Sequence, residues 1–304
     1  MIQSKHWLAC LDLTKIDDVL IGYSAFLSSV VTPETITFLH VIHSGPNARE
    51  IQEEFPEIKT REEFETLIRN ELNDKIKEHF NETSIEIRVV LKEGRPTDQI
   101  VEMANTLEPD LLMVGSKIGY AGEGIIPKRI LNYVASSVLF IPENCRYGLD
   151  HILVPVDFSE QSAVALKTAV QLMNGSQDDV TAQHIYHYRA QFFPYMLTEK
   201  EKRKVDEEVE QKKEKFKNEF DIPSNIGFSL DVHKSGKIAD LVYERLIEKK
   251  ADLIVIASKS KKLASFIRED FTDKMVDYVF GVPLLIQKNK EKYKRLLDRL
   301  FKED

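Results

Sequence analysis

The sequence predicts an α/β protein made of two consecutive open, parallel-sheet units with a helix added at the C-terminus. Three observations carry this prediction. The chain is written twice, its strand candidates are continuous apolar runs, and those runs alternate with segments of helical periodicity.

The duplication is seen in four blocks. HWLACLDLTKIDDVL near the start pairs with HILVPVDFSEQSAVAL in the middle, each an apolar strand ending in Asp (Asp12, Asp157) before polar turn residues and a helix. FLHVIHS, with His40 and His43, pairs with AQHIYHY, with His184 and His187. GRPTDQIVEMANTLEPDLLMVGSK pairs with GKIADLVYERLIEKKADLIVIASK, matching Gly94 to Gly236, Asp98 to Asp240, Asp110 to Asp252 and Ser116-Lys117 to Ser258-Lys259. SVLFIP pairs with VPLLIQ. The offsets are 145, 144, 142 and 146 residues in chain order, so loop lengths have barely drifted since the copies separated.

Within each copy, LLMVGS and LIVIAS are rich in Leu, Ile and Val and lack polar alternation, as expected of strands covered on both faces of a parallel sheet. Ile100, Met103, Ala104 and Leu107 fall at three- and four-residue spacing and predict a helix with one apolar face. Strands alternating with helices imply right-handed βαβ crossovers and a doubly wound sheet. EEFETLIRNELNDKIKEHF and EKEKRKVDEEVEQKKEKFKNEF carry so much charge that their faces should be largely solvated. Pro142, Asn144 and Gly148 interrupt the pattern and place the break between the units, giving residues 1–146, 147–288 and a tail of 289–304. In the tail, Tyr293, Leu296, Leu297, Leu300 and Phe301 share one helix face. That face is expected to pack on its own chain, with a dimer contact as the alternative.

The composition narrows the function. Apolar residues make up 42% and charged residues 30% of the 304, a globular profile. A net charge of −8 argues against non-specific binding to nucleic acid or to an anionic membrane. The first 148 residues hold 15 Lys and Arg against 23 Asp and Glu, whereas the last 17 hold seven basic and four acidic residues. The tail is therefore the most basic part of an acidic chain. No run reaches the roughly 20 apolar residues of a membrane span, and the first residues lack the pattern of a secretory signal. Two cysteines, Cys10 and Cys145, provide neither a disulfide framework nor metal spacing. A reduced, cytoplasmic protein is expected.

Other chemistry is poorly represented. Residues three apart on a strand point to opposite faces, so the two H-x-x-H pairs read as structural histidines, and no metal is expected. No G-x-S-x-G elbow or Ser-His-Asp order is present, and Cys10 lies in an apolar strand. No catalytic residue is assigned and no enzyme activity is expected.

Taken together, ILVPVDFSEQSAVAL, the LHV at residues 39–41, the G-x-x-x-D segments, ADLIVIASKSKK and VPLLIQ resemble the universal stress protein family over nearly all of residues 5–287. The resemblance implies a Rossmann-like fold of the adenine nucleotide alpha-hydrolase type, with five parallel strands per domain. It implies a stress-response role, with a homodimer or a stress-pathway protein as partner. One branch of the family binds ATP. There the Asp ending strand one and the backbone after strand two hold adenine and ribose, and a G-x-x-G-x9-G-[S/T] loop cradles the phosphates. Carried over, the site would comprise Asp12, Val41, Gly115, Ser116, Gly122 and Gly124 in the first copy, and Asp157 in the second. For both aspartates, capping of the following helix is the competing reading.

The loops depart from the pattern. In the first copy Ile118 replaces the second glycine, and Gly124 follows after only five further residues, though Gly119, Gly122 and Gly124 remain. In the second copy Ala257, Ser260 and Asp270-Phe271 stand at the glycine and G-[S/T] positions, closing the backbone nest and repelling phosphate. Lys259, Lys261 and Lys262 nearby could attract an anion or merely solvate the loop. The expectation is a non-catalytic stress-response protein, with ATP or a related adenine nucleotide confined to the first copy. The alternatives are a slow nucleotide hydrolase or self-phosphorylating protein, and a purely partner-binding module.

Overall fold

The structure, a computed structural model, describes residues 5–43, 58, 60–81, 83–116, 125–173, 179–188, 197–258, 269–278, 280–291 and 293–295. The chain divides into two compact units, one of residues 2–147 together with 288–304, the other of residues 148–287.

In the first unit the order is β1 (His6–Leu11), α1 (Ile16–Val30), β2 (Thr35–His43), α2 (Arg61–His79), β3 (Glu86–Gly94), α3 (Pro96–Leu107), β4 (Leu111–Ser116), α4 (Ile125–Tyr133) and β5 (Ser137–Pro142). The sheet runs β3-β2-β1-β4-β5, with neighbours parallel. The second unit repeats this with β6 (Ile152–Pro155), α5 (Glu160–Leu172), β7 (Val180–Tyr186), α6 (Glu199–Glu219), β8 (Gly227–Val232), α7 (Ile238–Lys249), β9 (Leu253–Ala257), α8 (Glu269–Asp277) and β10 (Leu284–Gln287). Its order is β8-β7-β6-β9-β10. Each unit is thus the five-stranded parallel sheet that the sequence implied.

The central strands are covered on both faces. Trp7, Leu8 and Ala9 of β1 and Leu111, Leu112 and Met113 of β4 are fully buried, as are Ile152, Leu153 and Val154 of β6. With right-handed crossovers, α1 and α2 lie against one face and pack together, while α3 and α4 pack together on the other. The charged helices behave as their composition suggests: α2 buries Ile68, Leu72 and Ile76, and α6 only Val209 and Phe216. Capping boxes start both, Thr60 with Glu63 and Thr198 with Glu201. On α3, Ile100, Met103 and Ala104 are buried and Leu107 is half-buried.

The duplication extends to hydrogen bonds. Asp110 Oδ2 accepts from the amides of Lys5 and His6, and Asp252 Oδ2 from those of Asp150 and His151. His6 Nε2 lies 2.8 Å from Thr37 Oγ1, and His151 Nε2 lies 2.9 Å from Thr181 Oγ1. The matched helices α3 and α7 both end on a residue in the left-handed region, Glu108 (φ 46°) and Lys250 (φ 51°).

The tail belongs to the first unit. Residues 290, 291 and 293–295 are helical, and Tyr293 is buried. Leu296, Leu297, Leu300 and Phe301 lie outside the described residues.

Candidate functional site

Ligands of open α/β sheets gather at the carboxyl ends of the strands, where the strand order reverses direction. In the first unit that point is β1, flanked by β2 and β4. Leu11 pairs with His40 and Cys10 with Val114, so one step further Asp12, Val41 and Ser116 stand level across three adjacent strands, with Gly115 beside Leu11. In the second unit Pro155 pairs with Gln183 and Leu153 with Ile254, which brings Asp157, Ile185 and Ser258 to the same level. The fold therefore gathers Asp12, Val41, Gly115 and Ser116 at one sheet edge. Gly122 and Gly124 lie outside the described residues, as do Lys259, Ser260, Lys261 and Lys262.

Each aspartate closes a turn. Asp12 Oδ1 accepts from Thr14 N (3.1 Å) and Thr14 Oγ1 (2.6 Å), and Asp157 Oδ1 accepts from Ser159 N (3.2 Å) and Ser159 Oγ (2.5 Å). These are Asx turns, a carboxylate satisfying the backbone two residues on. Between them, Leu13 (φ 59°) and Phe158 (φ 61°) sit in the left-handed region, which costs a non-glycine residue about 1–2 kcal/mol. Neither aspartate caps a helix: each gives its Oδ1 to the turn instead. Ser159 is the N-cap of α5, in a reciprocal box with Ser162, and α1 starts at Lys15 without a side-chain cap. Both Asp12 and Asp157 are exposed at the tip.

Beneath the first turn lies a residue that the sequence reading passed over. Asp17 is fully buried, and its carboxylate accepts from Asp12 N (2.9 Å) and Leu13 N (2.8 Å). Burial pushes its carboxyl up to about 6, with the Asp12 charge adding to the rise and the two amides opposing it. Ser162 holds the matching place in the second copy. An acid in the first turn of a helix is ordinary, and only its alignment with Ser162 could have flagged it. Gly115 also has a packing role. A Cβ there would meet Ile16 Cδ1 at 2.7 Å, so strand β4 approaches α1 more closely than a side chain allows. Ala257 and Gln161 stand at the matching positions of the second copy.

The strand-end histidines are structural. His40 Nδ1 donates to Leu11 O (3.1 Å) and His184 Nδ1 to Val156 O (2.8 Å), each tying strand two to the end of strand one. Burial holds both below the ordinary imidazole value, so they are neutral near pH 7. His187 turns to β8 instead. Its Nδ1 lies 3.1 Å from Nδ1 of His233, whose Nε2 donates to Gly236 O (3.0 Å). No spacing in the sequence signals this partner, which lies just past β8. The side chain of His43 lies outside the described residues. Among the described residues, no group of three or more His, Cys, Asp or Glu is placed to hold a metal ion.

A cavity of about 430 Å³ opens beside the second turn, walled by Asp157, Phe158, His184, Tyr186, Lys212 and Phe216 among others. Phe158 stacks on His184 with centroids 4.0 Å apart, so a phenyl ring covers the imidazole. Leu13 stands at this position in the first copy. The two tips therefore share a backbone but not a lining.

The profile of the universal stress protein family matches residues 6–140 and 148–280. The chain belongs to the universal stress protein family. No curated protein matches it. Among solved structures it is similar to a universal stress protein from Archaeoglobus fulgidus DSM 4304, at 17% identity and a TM-score of 0.60, over 95% of this chain and 97% of that one. It is also similar to a functionally unknown protein from Pseudomonas aeruginosa PAO1, at 11% identity and a TM-score of 0.63, over 99% of this chain and 98% of that one. At such identities the likeness establishes the fold of this universal stress protein along both copies. Among its described residues, no helix is long and apolar enough to cross a membrane.

Proposed function

We propose that this universal stress protein is a non-catalytic stress-response protein that holds ATP or a related adenine nucleotide in its first copy only. The observation that carries the reading is the alignment of Asp12, Val41 and Ser116 at one level of the carboxyl edge, beside the strand where the order reverses. Adenosine is held by the exposed Asp12 carboxylate and the Val41 backbone. Phosphate goes to Gly115, Ser116 and the glycines that follow, ahead of the positive end of α4. The second copy keeps the aspartate, but Ala257 replaces its first loop glycine and Asp270 stands in the sequence where the family pattern has its last glycine.

Calorimetric titration of the full chain with ATP tests this. One ATP per chain is expected, lost in Asp12→Ala and kept in Asp157→Ala, with no phosphate released on prolonged incubation. Two sites per chain, or loss of binding in the Asp157 variant, would contradict the assignment. Steady phosphate release would turn it toward a hydrolase.

A further inference from the structure

The basic tail docks on the first unit by addressing the C-terminal ends of two helices. The buried Lys288 donates from Nζ to Leu131 O (2.6 Å) and Val134 O (2.8 Å), the carbonyls left over where α4 ends. Its own amide donates to Ser137 Oγ (3.1 Å) at the start of β5, and its Nζ lies 4.9 Å from the centroid of the buried Tyr293 ring. Lys290 Nζ donates to Glu108 O, at the end of α3, and to Asp110 Oδ1 (2.9 Å). Lys294 reaches Glu108 Oε1 at 2.5 Å. Three lysines thus meet the negative ends of α3 and α4, Lys290 and Lys294 from the exposed side and Lys288 from within, where burial lowers its pKa from 10.5 to about 7 and its two hydrogen bonds do the holding. Two of the lysines also hold Glu108 and Asp110, the latter already fixing the start of β1. Arg129 of α4 pairs with Asp98 in the first turn of α3 at 2.8 Å, so the two helices are also joined away from the tail.

Helix α4 is nine residues long, about 13 Å at 1.5 Å per residue. Lys288 holds its C-terminal end, and its N-terminal end faces the phosphates in the nucleotide reading given above. A donor on the last carbonyls at one end and an anion at the other favour the same helical state, so whichever binds first carries part of the ordering cost for the second. We infer that residues 288–295 form an intramolecular strap that raises the nucleotide affinity of the first copy by holding α4. The inference rests on the proposed nucleotide site and adds its regulation. Because coupling is reciprocal, nucleotide must tighten the strap by the same factor. Anything that lifts the strap, such as a partner competing for the basic tail, would then release nucleotide.

The test uses the full chain and two variants. Lys288→Met removes the buried donor at α4. The double variant Lys290→Ala/Lys294→Ala loosens the strap from its exposed side and leaves the buried site intact. ATP affinity by calorimetry is expected to fall on the order of tenfold in each, within the usual range of coupling. Amides of residues 129–134 should exchange faster in Lys288→Met, and ATP should slow exchange of residues 288–291 in the wild type. ATP affinity unchanged in both variants overturns the coupling and leaves the nucleotide site standing. A wild-type chain that binds no ATP overturns the site and the coupling with it. Faster exchange around α4 in Lys288→Met would then show a purely structural strap.

Discussion

Asp17 makes the pH dependence of the first copy testable at a single position. Its carboxylate is fully buried under the Asp12 turn, and burial outweighs the two amide hydrogen bonds, lifting its pKa from 3.8 to about 6. That displacement corresponds to about 3 kcal/mol between the protonation states. The sign follows from proton counting. Between pH 4 and 6 the folded chain keeps a proton on Asp17 that the unfolded chain has lost, so this group's contribution to stability falls as pH rises through that window. Above pH 6 the full penalty remains. In Asp17→Asn the titration is gone, whereas the histidines and the other acids titrate alike in both proteins and cancel in the difference. Trp7, the only tryptophan of the chain, is buried in β1 of the same copy and reports its unfolding selectively. Urea unfolding followed by Trp7 fluorescence at pH 4, 5, 6 and 7 gives the stability of wild type minus variant. That difference is expected to drop by about 2.4 kcal/mol from pH 4 to pH 7, the rest of the roughly 3 having been lost below pH 4. A flat difference would mean that Asp17 is not desolvated. A rise with pH would mean that the amides of Asp12 and Leu13 dominate, and the argument from burial would be refuted.

Further outcomes follow from the packing. Gly115→Ala places a Cβ against Ile16 and should destabilise the first copy by about 1–2 kcal/mol by Trp7 fluorescence, with partial recovery on adding Ile16→Val; strictly additive losses would rule out the contact as the cause. In the second copy Asp231 accepts from Gln183 Nε2 (2.7 Å), Ser229 Oγ (2.9 Å) and Arg245 Nη2 (2.6 Å). Burial raises its pKa, but these bonds outweigh burial and hold it below the ordinary carboxylate value, so its contribution is present at neutral pH and lost in acid. Asp231→Ala removes three hydrogen bonds and leaves Arg245 with Glu248 as its ion-pair partner among the described residues. It should cost about 2 kcal/mol, seen by calorimetry as a lower unfolding temperature without change in the Trp7 transition.

Most of the architecture was legible because the sequence states it twice. Offsets of 145, 144, 142 and 146 residues reappear as register: Trp7 with Ile36 corresponds to Ile152 with Val180, and Leu112 with Val138 to Ile254 with Leu284. A strand covered on both faces leaves a continuous apolar run, and a shared register keeps Asp12 and Asp157 at equivalent tips. Interactions formed only in three dimensions were not legible. The cap reading of the aspartates failed because a local turn two residues away competes successfully for their oxygens. The partner of His187 is His233, 46 residues later and just past the end of β8. Burial of Asp17 depends on how α1 meets β1. For the tail, the expectation that its apolar face packs on its own chain agrees with the burial of Tyr293, but periodicity could not show that lysines would find helix ends.

The two copies diverge where a duplicated fold can afford to change. Strand pairing, the Asx turn and the amide clamps of Asp110 and Asp252 are retained in both, since losing any of them would leave backbone groups unsatisfied at the sheet. The groups around the tips are not bound by that constraint. The first copy has Gly115 packed on Ile16, buried Asp17 beneath the turn and a lysine strap behind α4. The second has Ala257, Ser162 and a phenyl ring over His184. The second copy thus has the turn without the glycine, while the strap stands behind the copy that has the glycine. On the proposed assignment, such an asymmetric pair would bind ligand in one half and leave the other half free to present a surface. The inferred strap would then give that proposed site a second input from the same chain, which a symmetric pair without a tail would lack.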